Sequence, residues 1–136
     1  MSKIIDLTQN RPVSIGVVDE DGDLLLTVHT KRRLNRQQAM ETTKKVGKGK
    51  TLRDVADLEA LYRKTVNFLV LPVGRQFKIE LKGGETPVIG SETEDVEVRD
   101  DGQISALLLA LPTETANQVD EELFGMSFIG EDRGNA

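Results

Sequence analysis

The sequence predicts a small α+β domain, on three observations. Two segments alternate or cluster β-branched and leucine residues around a Gly-containing turn, as β-hairpins do. In the middle of the chain, apolar residues recur at spacings of three and four, as on one face of a helix. The length of 136 residues, 38% of them apolar, supports one core and is too short for a two-domain enzyme. The predicted organisation is one domain over residues 1–129 and a disordered tail over 130–136, where Glu131, Asp132 and Arg133 precede small terminal residues.

The first hairpin is read from Val13 to Val18 and Leu24 to Thr30, which flank Asp19-Glu20-Asp21-Gly22-Asp23. The carboxylates are solvated there, and Gly22 supplies the positive φ of a tight turn. The same acidic residues resemble the start of an EF-hand loop. That loop needs Gly at its sixth position and a bidentate Glu at its twelfth, where this chain has Leu24 and Thr30, so calcium is excluded.

A helix is predicted from Asn35, whose partner three residues on, Gln38, completes a capping box, and Arg36 to Val46 runs without Gly or Pro up to Gly47. A second helix is predicted from Thr51, paired with Asp54 as its cap, with Leu52, Val55, Leu58, Leu61, Tyr62, Val66 and Leu69 as its apolar stripe and Glu59 four residues before Arg63. Between the two, Gly49-Lys50-Thr51 resembles the end of a phosphate-binding loop. Lys44 stands where that loop needs its first Gly, and a helix precedes it instead of a strand, so a basic linker is the preferred reading.

Beyond Pro72, Phe77, Ile79 and Leu81 alternate with charged residues, and Gly83-Gly84 leads into Thr86 to Ile89, which predicts a second hairpin. Val96 and Val98 form a short strand edge after an acidic connection, and Asp100-Asp101-Gly102 reads as a turn. Ile104 to Leu111 fits a buried strand or a buried helix by periodicity, and its Ala and Leu content favours the helix. Pro112 ends it, Thr113 caps a last helix edged by Val119, Leu123 and Phe124, and Gly125 closes that helix.

With no Cys and a single His29, the chain has no disulfides, thiolate nucleophiles, Cys-based zinc sites or multi-histidine metal centres. No cofactor is expected. The opening MSKIIDLTQNRP lacks an apolar run of signal-peptide length, and the longest apolar stretch, Ala106 to Pro112, is too short to cross a bilayer, so the chain is expected to be soluble and cytoplasmic.

Charge is sorted into blocks. Residues 1–30 carry two basic and five acidic side chains, residues 31–82 fourteen and five, and residues 83–136 two and thirteen, giving −3, +9 and −11. The middle block can attract an anionic partner or the chain's own acidic end. Its densest part, Lys31, Arg32, Arg33, Arg36, Lys44, Lys45, Lys48 and Lys50, would neutralise phosphates without sequence preference, which makes nucleic-acid binding the main generic alternative. The stretch holds no aromatic side chain for stacking.

No catalytic constellation is legible. Glu92, Glu94, Asp95 and Glu97 fall in a polar segment without the apolar surroundings that raise a carboxyl pKa. His29, Ser14 and Asp23 offer the residue types of a triad across the first hairpin, without a nucleophile elbow or oxyanion loop. The chain is therefore expected not to be an enzyme.

The order of a short β element, an Asp-Gly turn, a strand ending in the basic TVHTKRRL (Thr27 to Leu34), two helices and the late LLALPTETANQVDEELFGMSF resembles the tail assembly chaperones of long-tailed bacteriophages. The late segment opens on Leu111-Pro112-Thr113-Glu114 and closes on Phe124-Gly125-Met126-Ser127-Phe128. The resemblance implies a non-catalytic protein of the infected host's cytoplasm that escorts the tape measure protein, recruits tail tube subunits and leaves before the virion is complete, with homo-oligomers possible. A virion structural protein of the neck, tail or capsid surface is the alternative. Within that scheme the candidate partner contacts are Tyr62, Phe68, Leu123, Phe124, Met126 and Phe128, because aromatic and Met side chains give large adaptable contact area. Tyr62 and Phe68 also suit the core.

Overall fold

The computed structural model describes residues 12–126, and the α+β class read from the sequence holds for them. The tail at 130–136 and Phe128 lie outside the described residues.

Strands β1 (Ser14–Val18) and β2 (Leu24–Thr30) form the first predicted hairpin. Gly22 takes φ 84°, and the Asp19 carboxylate accepts the Asp21 and Asp23 backbone N–H groups at 2.9 Å each. Helix α1 (Arg36–Glu41) starts at the expected capping box, with Gln38 N–H to Asn35 Oδ1 at 2.8 Å and Asn35 N–H to Gln38 Oε1 at 3.0 Å.

The helix does not continue to Val46. Thr42 ends it, and β3 (Thr43–Val46) pairs antiparallel with β4 (Arg53–Ala56) in a separate two-stranded ribbon. The β-branched pair Thr42-Thr43 loses side-chain freedom in a helix, and the ladder to β4 gives the backbone a better partner. The expected linker at residues 47–52 is the tip of this hairpin, where Thr51 Oγ1 donates to Lys48 O at 2.8 Å.

Thr51 therefore does not cap the second helix. Helix α2 (Leu58–Thr65) is capped by Asp57, whose carboxylate accepts the Ala60 N–H at 3.2 Å, and Glu59 pairs with Lys82 at 3.0 Å. Val66 and Leu69 are buried from a strand, β5 (Val66–Leu71), and Leu52 is 50% exposed. The second predicted hairpin forms with a short ladder, β6 (Phe77–Lys78) against β7 (Val88–Ile89). Strand β8 (Val96–Val98) completes the main sheet, ordered β1-β2-β5-β8 and antiparallel throughout.

Asp100 caps a helix where a turn is predicted: its carboxylate accepts the Gln103 N–H at 2.9 Å and opens α3 (Asp101–Ala110). The helical reading of Ile104 to Leu111 holds over most of its length. Helix α4 (Thr113–Phe124) follows the Leu111-Pro112 elbow without a side-chain cap from Thr113 and closes at Gly125 as predicted.

One contiguous core joins the sheet to α2, α3 and α4. The strands alternate: Ile15, Val17, Leu26, Val28, Leu69 and Leu71 are buried among the helices. Each such side chain contributes about 1.5–3 kcal/mol through the apolar surface it removes from water. On the opposite face Ser14 and Gly16 are exposed, and Thr27, His29 and Phe68 are half-buried.

Candidate functional site

Four features of the surface follow from that layout. On the sheet face opposite the core the register places Ser14 beside His29 and His29 beside Phe68, with Arg99 just past β8. Ser14 Oγ lies 2.9 Å from His29 Nδ1, the His29 and Phe68 rings stack at 4.6 Å, and the Arg99 guanidinium carbon is 4.3 Å from the Phe68 centroid. Arg99 is held by Glu97 at 2.8 Å. His29 and Ser14 do meet, but Asp23 precedes β2 while His29 is its last residue but one, about 20 Å away at strand rise. The three residues form no triad. The row sets an imidazole and a guanidinium against one aromatic ring, and Phe68 is half-buried there.

The outer edge of β1 is the second feature. Thr30 N–H donates to Val13 O at 3.0 Å, which makes Val13–Thr30, Ile15–Val28 and Val17–Leu26 the hydrogen-bonded pairs of the ladder. The peptide groups of Ser14 and Gly16 consequently point away from β2, and no described strand pairs with that edge. A trough of about 450 Å³ runs along it, walled on the far side by Gln118, Glu121 and Glu122 of α4. Sequence reasoning missed this edge. Its signal is Gly16, which sets no side chain on the strand; a Cβ there would meet only the Leu24 side chain, at 3.5 Å.

The β3–β4 ribbon is the third. Lys44, Lys45, Lys48, Lys50 and Arg53 are all exposed on it, with Lys45 held by Asp54 at 3.1 Å. Its base is tied to the body where Lys64 Nζ donates to Thr42 Oγ1 at 3.2 Å. Lys31, Arg32 and Arg36 are also exposed, and Arg32 Nε donates to Lys64 O at 3.3 Å. The end of α4 meets only the start of this stretch among the described residues: Leu34 donates its N–H to Leu123 O at 3.0 Å, and Arg33–Glu122 at 3.9 Å is the ion pair between the two blocks.

At the opposite end of β2, the Asp19, Asp21 and Asp23 oxygens lie within 4.8 Å of one another. Asp19 is already engaged by backbone N–H groups and by Arg75 at 3.2 Å. Its carboxyl is held below the ordinary range, first by the Asp23 N–H, against a smaller desolvation, then by the Asp21 N–H and Arg75. Beside this turn a groove of about 580 Å³ opens between β6 and the α3–α4 elbow, with Leu25, Phe77, Leu107 and Leu111 as apolar lining and Glu20, Asp21 and Glu114 on its rim.

The predicted partner contacts are not brought together at any of these places. Leu123 and Phe124 are corrected from partner-contact surface to core, at 0% exposure each, and Tyr62, at 1%, takes the core place that its position on the apolar stripe favours, because the α2 and α4 stripes meet inside the helical layer. Tyr62 and Phe124 lie 5.8 Å apart between ring centroids. Met126 is half-buried against the same core, and Phe128 is outside the described residues. No helix among the described residues is long and apolar enough to cross a membrane. Compared with protein-family models, curated proteins and solved structures, the chain matches none.

Proposed function

We propose that the chain is a non-catalytic assembly factor that captures an extended segment of a partner protein by strand addition along β1. This is the behaviour expected of a bacteriophage tail assembly chaperone that escorts tape measure and tail tube proteins. The observation that carries the reading is the β1 edge, where outward peptide groups at Ser14 and Gly16 face a trough walled by α4. Such an edge supplies main-chain hydrogen bonds to any extended chain, and the flanking helix selects side chains. The sequence resemblance at Leu111-Pro112-Thr113-Glu114 supplies the biological setting.

Nucleic-acid binding is the second reading, favoured by the exposed cations of the β3–β4 ribbon. A pull-down from phage-infected lysate, with and without nuclease, separates the two. Recovery of tape measure or tube protein that survives nuclease, and its loss by at least tenfold with Gly16→Pro, supports strand addition. Proline removes the outward donor at position 16 and leaves the β1–β2 ladder bonds untouched. Equal capture by a correctly folded Gly16→Pro overturns strand addition at β1, and recovery of nuclease-sensitive material alone overturns the chaperone reading. A virion structural role is distinguished by persistence of the protein in purified particles.

A further inference from the structure

The ribbon and the groove are complementary. Leu52, at the tip of the ribbon, is 50% exposed and stands between Lys50 and Arg53. The groove beside the α3–α4 elbow offers apolar walls at Leu107 and Leu111, with Glu20, Asp21 and Glu114 around its mouth and Lys78 as the cation there. An apolar side chain flanked by cations therefore meets an apolar cleft flanked by carboxylates.

A molecule's own ribbon tip does not fill its groove: Leu52 is exposed, and no residue of the ribbon lines the groove. Thr113 to Thr115, at the start of α4, line the groove, while Leu34, which leads into α1 and the ribbon, donates its N–H to Leu123 O at the end of the same helix. Eight to ten residues of helix put about 12–15 Å between the two.

We infer that the occupant of the groove is a second copy of this chain, which inserts its β3–β4 tip, Leu52 first, in a head-to-tail contact. Each copy then carries one donor tip and one acceptor groove, so the association is heterologous and grows into a ring or a filament instead of stopping at a symmetric dimer. The contact is weakened by salt because its rim is exposed charge. It leaves the β1 edge free, so it does not depend on the strand-addition reading: Gly16→Pro should associate as the unaltered chain does.

The test is sedimentation of the full chain over a range of concentrations and salt, with two variants verified by circular dichroism. Leu52→Glu disables the tip and keeps the groove; Glu20→Lys with Glu114→Lys disables the groove and keeps the tip. The unaltered chain should gain mass with concentration and lose it with salt, and each variant alone should associate at least tenfold more weakly. An equimolar mixture of the two variants should form a one-to-one complex that grows no further, since a single tip and a single groove remain intact. A unaltered chain that stays monomeric, variants that assemble as it does, a mixture that stays monomeric, or association abolished by nuclease would each overturn the inference.

Discussion

Tyr62 on α2 donates its hydroxyl to the Asp120 carboxylate on α4 across 2.6 Å, and both side chains are buried, at 1% and 0% exposure. The bond fixes the rotation of two helices that otherwise meet through hydrocarbon, where several packings have similar energy.

Removing the hydroxyl with Tyr62→Phe keeps the ring contact to Phe124 and takes one donor from a buried carboxylate. Stability should fall by about 1–3 kcal/mol in chemical denaturation, the cost of impairing a buried polar partnership. Asp120→Asn, which retains an acceptor oxygen, should cost less than Asp120→Ala. A double-mutant cycle between positions 62 and 120 should show coupling, and strict additivity would mean that the bond contributes nothing.

Asp19 gives the fold a pH dependence of definite sign. Its carboxyl is held below the ordinary range chiefly by the Asp23 N–H, so the folded state favours the ionised form. The resulting stabilisation is fully present above the unfolded-state carboxylate pKa and disappears as pH falls through the depressed folded-state pKa. Thermal melts of the unaltered chain and Asp19→Ala should therefore differ most near neutrality and converge in acid. A gap that widens on acidification would contradict the assignment.

Gly90 should tolerate no side chain. It takes φ 118°, and a Cβ there would overlap the carbonyl oxygen of Arg75. Gly90→Ala should lose more than about 2 kcal/mol, combining left-handed strain with a backbone collision. Gly74→Ala, with φ 84° and open space around it, should lose about 1–2 kcal/mol from the conformation alone. Equal losses in urea titrations would show that the collision relaxes freely.

The hairpins, the capping box at Asn35, the edge strand at Val96 and the closing Gly125 were legible because each rests on local chemistry that no distant partner alters. The middle of the chain was not. Leu52, Val55, Leu58, Leu61, Tyr62, Val66 and Leu69 keep a helical spacing across what folds as a tip, a strand, a helix and another strand. The competing signals were present: Asp57 as a cap immediately before Leu58, and the β-branched and aromatic run Val66-Asn67-Phe68-Leu69-Val70-Leu71. Pairing of β5 with β2, far off in sequence, decided between them. The surface features were harder still, because an unpaired strand edge and a groove at a helix elbow exist only once distant segments are in place.

The contact of α4 with β1 sets an order of events during synthesis. Ile15 and Val17 leave the ribosome with the first hairpin, but α4, which packs against their strand, is made last among the described helices. Until then the apolar side of the nascent hairpin lacks the helix that covers it. Contacts of such long sequence separation form late and leave the growing chain open to mispairing. The first described strand thus waits for the last described helix before its burial is complete, however stable the finished molecule is.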